Sequence, residues 1–282
     1  ARLYWWYYTH TGDREYLRSV GYPVLRDVAR FYRGILEKTG LDADGRCRVE
    51  PSIWGEHHAT EFNAWGTNSS YDIAAMSAGF EQALAAADLL DADAEERAVW
   101  RDLLNRLPPL PADAEDIWLY FPEGHPANGR YTWGSFFHAV YPCERASLFH
   151  GPDPLRRQAL ATWRAVAPVG TPNAWCAGVP TVAAILMGDP EWAWASLKTG
   201  LPANGLGGGL TQGFFQADHG TGWALGIDAA CAFAVNGQIL LFGGLPPSVD
   251  IAFHSLRVAG PALVSAGRKD GRVTRLVIQA LN

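Results

Sequence analysis

The hydrophobic period of this chain changes at Asn236-Gly237, and that change limits it to a helical body followed by a small β-part. Before that point apolar residues recur at helical spacing. Val24, Leu25, Val28, Phe31, Tyr32, Ile35 and Leu36 predict one stripe on a helix. Pro23 sits in its first turn, where a missing N–H costs nothing, and Gly40 follows its end. Ile73, Met76, Phe80, Ala83, Leu84, Ala87 and Leu90 predict a second stripe, opened by Ser69 and Asp72 at capping-box spacing. Asp93 and Glu96 repeat that spacing before Val99, Trp100, Leu103 and Leu104. Upstream, Thr11-Gly12-Asp13 ends one helix and caps the next, and Pro108-Pro109-Leu110-Pro111 breaks the chain. Further helices are expected over 136–149, 153–166, 175–187, 190–199 and about 222–235. The 190–199 helix has Asp189 as cap, Pro190 in the first turn and Gly200 as stop.

Beyond Asn236-Gly237 the pattern is β-like. Gln238 to Phe242 is a short strand-like run, Gly243 to Pro247 a turn cluster, and Val249, Ile251 and Phe253 alternate with period two. Two more runs, 262–266 and 272–280, flank Asp270-Gly271, a hairpin signal. The expected organisation is a helical part over 1–236 and an antiparallel β-module over 237–282. Paired helices with short connections suggest stacked helical hairpins, which periodicity alone does not separate from a bundle or a solenoid.

With 282 residues, 48% of them apolar, the chain can bury a sizeable core. Its 23 basic and 29 acidic residues give −6, and the basic ones form no cluster, so nucleic acid is not an expected partner. No uninterrupted apolar run reaches membrane-spanning length, so no membrane is expected either. The chain opens at Ala1 within a helical pattern and without a leader, so it reads as a fragment or a processed chain; compartment and oligomeric state stay open. Cys47, Cys143, Cys176 and Cys231 lie far apart without ligand spacing, which reads as buried thiols rather than structural zinc. Glu56-His57-His58 is not a metal motif, because adjacent histidines point apart and H-E-x-x-H is absent. The Gly-rich run Gly205 to Gly209 lacks the strand–turn–helix context of a phosphate cradle. No metal and no cofactor are expected. The 12 tryptophans suit either an aromatic core or a sugar site, since aromatic faces stack on the C–H faces of pyranose rings. Trp54, Trp65, Trp133, Trp175 and Trp223 are open to both readings.

Three segments carry a family resemblance. Tyr8-Thr9-His10-Thr11-Gly12-Asp13, Tyr22-Pro23 and Pro51-Ser52-Ile53-Trp54-Gly55-Glu56-His57 form the first. Phe215-Gln216-Ala217-Asp218 is the second, with a matching distance from Asp218 to Asn236-Gly237. The third is the tail Asp250 to Gly260, containing Leu256-Arg257-Val258-Ala259-Gly260. Between them, Trp175 to Gly188-Asp189 has the length of a further family helix. In this order and spacing the chain resembles the inverting α-L-fucosidases of glycoside hydrolase family 95, with their patterns T-G-D, P-S-x-S-P-E-N and F-Q-x-D-G-N. The resemblance implies an (α/α)6 toroid, of which the chain would hold the second half or somewhat more, followed by the β-module. It implies a carbohydrate substrate, Glu56 as general acid and Asp218 as the base acting on water. It places Trp54, His57, Trp133, Ser135, Trp175 and His219 on the substrate side. The chain departs from the pattern there: Trp54-Gly55 replaces S-P, His57 follows the acid in place of Asn, and His219-Gly220 replaces G-N. Aromatics in Tyr131 to Pro142 stand where the family has histidines.

Inverting hydrolysis needs a proton for the leaving oxygen and a second carboxylate that activates water on the opposite face, about 6.5–9.5 Å away. Beside Trp54, Glu56 would be desolvated and its pKa raised, as a general acid requires; its other reading is a surface carboxylate paired with His57 or His58. Asp218 is either the base or a carboxylate meeting the free N–H groups of a helix start. Asp228, inside an apparent helix, is the rival base, and Asp72 is a capping acid first. His138 reads as a satisfied core histidine, and Ser135 has no G-x-S-x-G context. Two other enzyme readings are a toroid phosphorylase, with an anion pocket in place of the water site, and a lyase; a reading from another class is a catalytically silent carbohydrate-binding relative.

Overall fold

The computed structural model describes residues 1–53, 65–129, 138–167, 178–203 and 217–281. The chain forms two compact units. The first comprises Ala1–Thr9, Asp13–Ala139 and Cys143–Arg145; the second comprises His10–Gly12, Val140–Pro142 and Ala146–Asn282.

In the first unit, α1 (Arg2–Thr11) stops at Gly12, whose φ of 72° favours a residue without Cβ. Asp13 then caps α2 (Arg14–Tyr16), accepting the Tyr16 N–H at 2.8 Å. A π-turn over Leu17–Gly21 carries the helix into α3 (Tyr22–Thr39), which ends at Gly40 with φ 73°. Leu25, Ala29 and Leu36 are buried along α3, which packs on α4 (Ser70–Leu90) and α5 (Ala94–Arg106). Tyr32 lies against Gly79 of α4, where an added Cβ would come within 2.7 Å of its ring. The predicted stripe is corrected at one position: Phe31 is 65% exposed.

Ser69 caps α4 as expected, its Oγ accepting the Asp72 N–H at 3.1 Å. The matching device at Asp93 does not form. Asp93 takes a left-handed backbone (φ 47°) that turns its carboxylate away from the helix start. Its Oδ2 accepts the Tyr22 hydroxyl at 2.5 Å, while Glu96 pairs with Arg30. Burial and then this bond to Asp93 hold the Tyr22 phenol protonated well above its usual range.

In the second unit, α6 (Asp153–Val166) precedes α7 (Gly178–Leu186), α8 (Pro190–Ala203) and α9 (Ala217–Cys231), and the last three pack on one another. Asp189 caps α8 through the Trp192 N–H (3.0 Å) and also accepts the Trp163 indole N–H (3.1 Å). Gly178 meets α9 so closely that a Cβ there would lie 2.3 Å from the Gly222 carbonyl oxygen.

Three helix expectations change. Residues 138–149 form turns and irregular chain, since Pro142 donates no N–H and restricts the residue before it. Helix α8 runs through Gly200 to Ala203. The last helix starts earlier and ends earlier than 222–235: β3 (Ala232–Val235) leaves it and pairs with β4 (Gln238–Leu241) across Asn236-Gly237, both at positive φ. The remaining strands, β5 (Ile251–Val258), β6 (Ala262–Lys269) and β7 (Arg272–Ala280), form an antiparallel sheet in that order. Asp270-Gly271 makes the β6–β7 hairpin as predicted. A bulge at Ser255 (φ 54°) lets Phe253, Leu256 and Val258 pack with Ala232, Ala262 and Val264. The structure is thus mainly helical with small antiparallel sheets, as expected. Cys47, Cys143 and Cys231 are buried thiols, whereas Cys176 lies outside the described residues. Among the described residues no helix is long and apolar enough to cross a membrane.

Candidate active site

Local structure around the expected acid begins at a short antiparallel pair. Strand β1 (Ser52–Ile53) pairs with β2 (Trp65–Gly66), with Ile53 opposite Trp65. Ile53 and Trp65, which flank residues 54–64 and so Glu56 in sequence, therefore stand opposite each other. Trp54, Glu56 and His57 themselves lie outside the described residues.

Both ends of that segment are anchored. On the outgoing side, Ser52 is fully buried; its Oγ donates to the Val49 carbonyl at 3.0 Å and accepts the Ser69 N–H at 3.2 Å. The Val49 N–H goes to the Asn68 side-chain oxygen, and the Asn68 N–H to the Val49 carbonyl, each at 2.8 Å. The Ser70 N–H reaches the Tyr120 carbonyl at 2.8 Å. These bonds satisfy buried backbone groups and join the chain before Glu56 to the first turn of α4. In a reciprocal capping box the N3 acid would take the Ser69 N–H. Here Ser52 takes it, and Asp72 accepts the Ser69 hydroxyl instead at 2.8 Å, so Ser69 caps the helix but Asp72 does not close the box.

On the returning side, the His125 Nε2 lies 3.0 Å from the Trp65 carbonyl oxygen, and its ring stacks on Phe121 at 4.0 Å. Gly66 admits no side chain, because a Cβ would fall 2.7 Å from the Phe121 ring. Successive strand residues point to opposite faces, so with Gly66 closed against Phe121, Trp65 turns the other way and is 47% exposed.

The other expected site residues divide as follows. Trp133, Ser135 and Trp175 lie outside the described residues. Asp218 and His219 fall in the first turn of α9 by their backbone, with their side chains outside the described part. The N-terminal turn of a helix offers free N–H groups to a carboxylate, so both earlier readings of Asp218 fit this placement. Asp228 sits farther along α9 and stays exposed, while partial desolvation raises its carboxyl above the usual range. Trp223 takes the packing role: its indole N–H donates to the Leu197 carbonyl at 3.2 Å. The His138 ring lies against Tyr71, with centroids 4.4 Å apart and the planes tilted by 49°. Tyr71, in the first turn of α4, was signalled by no motif; only its position beside Asp72 could have drawn attention to it.

Residues 1–118 match the family model described as the glycosyl hydrolase family 95 catalytic domain. No curated protein matches the chain. The matched stretch includes the β1–β2 pair, its anchors at Ser52 and Asn68, and Glu56; Asp218 lies beyond it. The match supports glycoside hydrolase chemistry and a carbohydrate substrate.

Proposed function

We propose that the chain, whose first 118 residues carry a family 95 catalytic-domain pattern, is part of an inverting glycoside hydrolase acting on terminal α-L-fucoside-like residues of oligo- or polysaccharides. The observation that carries this reading is the anchored β1–β2 pair inside the matched stretch, whose strands flank Glu56 in sequence. A general acid has to be held against a fixed frame, since small misplacements of a reacting group are costly in rate. The architecture proposed is the family's (α/α)6 toroid, with helical hairpins contributed by residues 1–236 and a β-module by 237–282.

In this mechanism Glu56 gives its proton to the glycosidic oxygen as the bond to the anomeric carbon breaks. Asp218 takes a proton from a water that attacks that carbon from the opposite face. The product is a hemiacetal of inverted configuration, and solvent exchange returns the proton to Glu56 and removes it from Asp218. Trp54, His57, Trp133, Ser135, Trp175 and His219 are the residues proposed to contact sugar. The replaced family histidines favour one competing reading, a silent carbohydrate-binding relative.

Leaving-group dependence in the full-length protein separates the two. Glu56→Gln removes the transferable proton while keeping shape. It should cripple substrates with poor leaving groups and spare activated aryl glycosides. Asp218→Asn should slow both classes, because water must be activated whatever leaves. Small, equal losses for both variants on both classes would instead support the silent relative.

A further inference from the structure

We infer that the open edge of β7 is an interface between two copies of this chain, which join their three-stranded sheets into one antiparallel sheet about a two-fold axis at Val277. Strand β7 ends the order β5-β6-β7, so among the described strands it pairs with β6 alone, and all nine of its residues are exposed. Leu276, Val277 and Ile278 keep 48%, 48% and 52% of their surface in solvent. Leu276 and Ile278 stand opposite the buried Ala266 and Val264 of β6 and so share their face of the sheet. Ala232, Ile239 and Leu241 cluster with Ala262 and Val264 on that face, and the cluster includes no described residue of β7. The apolar face therefore runs one strand past its cover, and the strand there is an edge that can template another.

The sequence of the strand indicates which occupant fits. Edge strands that stay single are blunted by prolines, bulges or spread charges. The stretch Arg275 to Ala280 has no proline, one charge at its start and an unbroken register with β6; the bulge in that ladder falls between Gly267 and Arg268, opposite the start of the stretch. The opposite edge, β5, is interrupted by its own bulge at Ser255, which makes it the poorer template. Turned antiparallel on a second copy about Val277, the β7 stretch is self-complementary. Leu276 meets Ile278 twice on the face shared with the core, Val277 meets Val277 on the other face, and Arg275 meets Gln279, so no like charges stand opposite each other. Parallel pairing in register would set Arg275 on Arg275. The antiparallel contact is isologous, the symmetry by which most homodimers close. A contact along one short strand is smaller than a standard interface, so the dimer should be weak and concentration-dependent.

The test is the mass of the full-length protein in solution, by light scattering or sedimentation from about 1 to about 200 µM, the range in which weak interfaces assemble. The mass should rise from one copy toward two and stop there. Val277→Lys opposes two ammonium groups on the axis and should hold the protein monomeric. Melting temperature and hydrolysis should be unchanged in this variant, since Val277 is exposed and has no part in the expected site. Directly opposed residues of an antiparallel pair have Cα atoms about 4.5–5.5 Å apart, within reach of a disulfide. Val277→Cys should therefore cross-link the dimer on mild oxidation, whereas Val273→Cys, roughly 25 Å from its copy along the paired strands, should not. A monomer at every concentration overturns the inference, whether or not another strand then proves to pair with β7. A dimer that survives Val277→Lys, or one that Val273→Cys cross-links as readily as Val277→Cys, places the interface elsewhere and overturns it as well.

Discussion

The Ser52 hydroxyl accepts the backbone N–H of Ser69 at 3.2 Å, tying the strand that precedes Glu56 to the residue that caps α4. With its own proton directed to the Val49 carbonyl, this one buried side chain fills two backbone needs at once. Ser52→Ala should leave the buried Ser69 N–H without a partner and the Val49 carbonyl with only the Asn68 N–H, at a cost of about 1–3 kcal/mol. Urea unfolding should show that loss, and a larger fall in kcat than in overall stability should accompany it if the same bonds steady the Glu56 segment. A stability unchanged by Ser52→Ala would mean that water serves these groups equally well.

A second prediction concerns alkaline pH. Burial pushes the Cys143 thiol up to about 11, and burial followed by the Asp228 carboxylate does the same for Cys231. For a group whose folded pKa lies above its unfolded value, the native state holds more protons in the interval between them. Stability is then complete below the unfolded value near 9 and is lost as pH rises toward 11. The melting temperature should fall across that window more steeply in the wild-type protein than in a Cys143→Ala, Cys231→Ala variant. Identical slopes would contradict it. The same shifts predict slow iodoacetamide labelling of both native thiols at pH 8.

Arg268 gives a third. Its guanidinium is buried, lies 5.0 Å over the Phe242 ring and donates to the carbonyls of Leu245 (3.1 Å), Pro246 (2.5 Å) and Val249 (3.0 Å). The turn after β4 is thus fastened to β6 by one cation, in place of regular secondary structure. Removing it in Arg268→Ala should destabilise the protein by about 3 kcal/mol, and Arg268→Lys should recover only part, because an ammonium lacks the planar fork. Proteolysis within 243–250 should accelerate in Arg268→Ala. Unchanged cleavage there would show that the turn holds without it.

Local signals in the sequence were readable where one residue type had one physical job. Gly12, Gly40 and Asp270-Gly271 occupy backbone conformations that favour them, and Ser69 caps the helix it was expected to cap. The misreadings arose where tertiary contacts decided. Ala232 to Val235 suits a helix as well as a strand, and pairing with Gln238 to Leu241 made it β3. Asp93 had the capping spacing, but its left-handed backbone gave the carboxylate to Tyr22 instead. Around the site, the motif drew attention to Glu56 and its neighbours. It gave no hint that Ser52 would supply the missing half of the Ser69 capping box, because that bond joins residues 17 positions apart. The exposure of Trp65 was equally hidden, since it depends on Phe121 and His125 closing the other face of the strand.

The central claim, hydrolysis by inversion with Glu56 as acid and Asp218 as base, is tested most directly by the configuration of the first-formed product. Proton NMR should follow the full-length protein acting on 2′-fucosyllactose and on α-L-fucosyl and α-L-galactosyl fluorides, with signals recorded before mutarotation equilibrates the anomers. The account predicts that the β-hemiacetal appears first and the α-anomer only later, and that Asp218→Asn abolishes this early signal. An α-anomer formed first would establish retention and remove Asp218 from its role as base; no hydrolysis of any substrate would leave carbohydrate binding without catalysis.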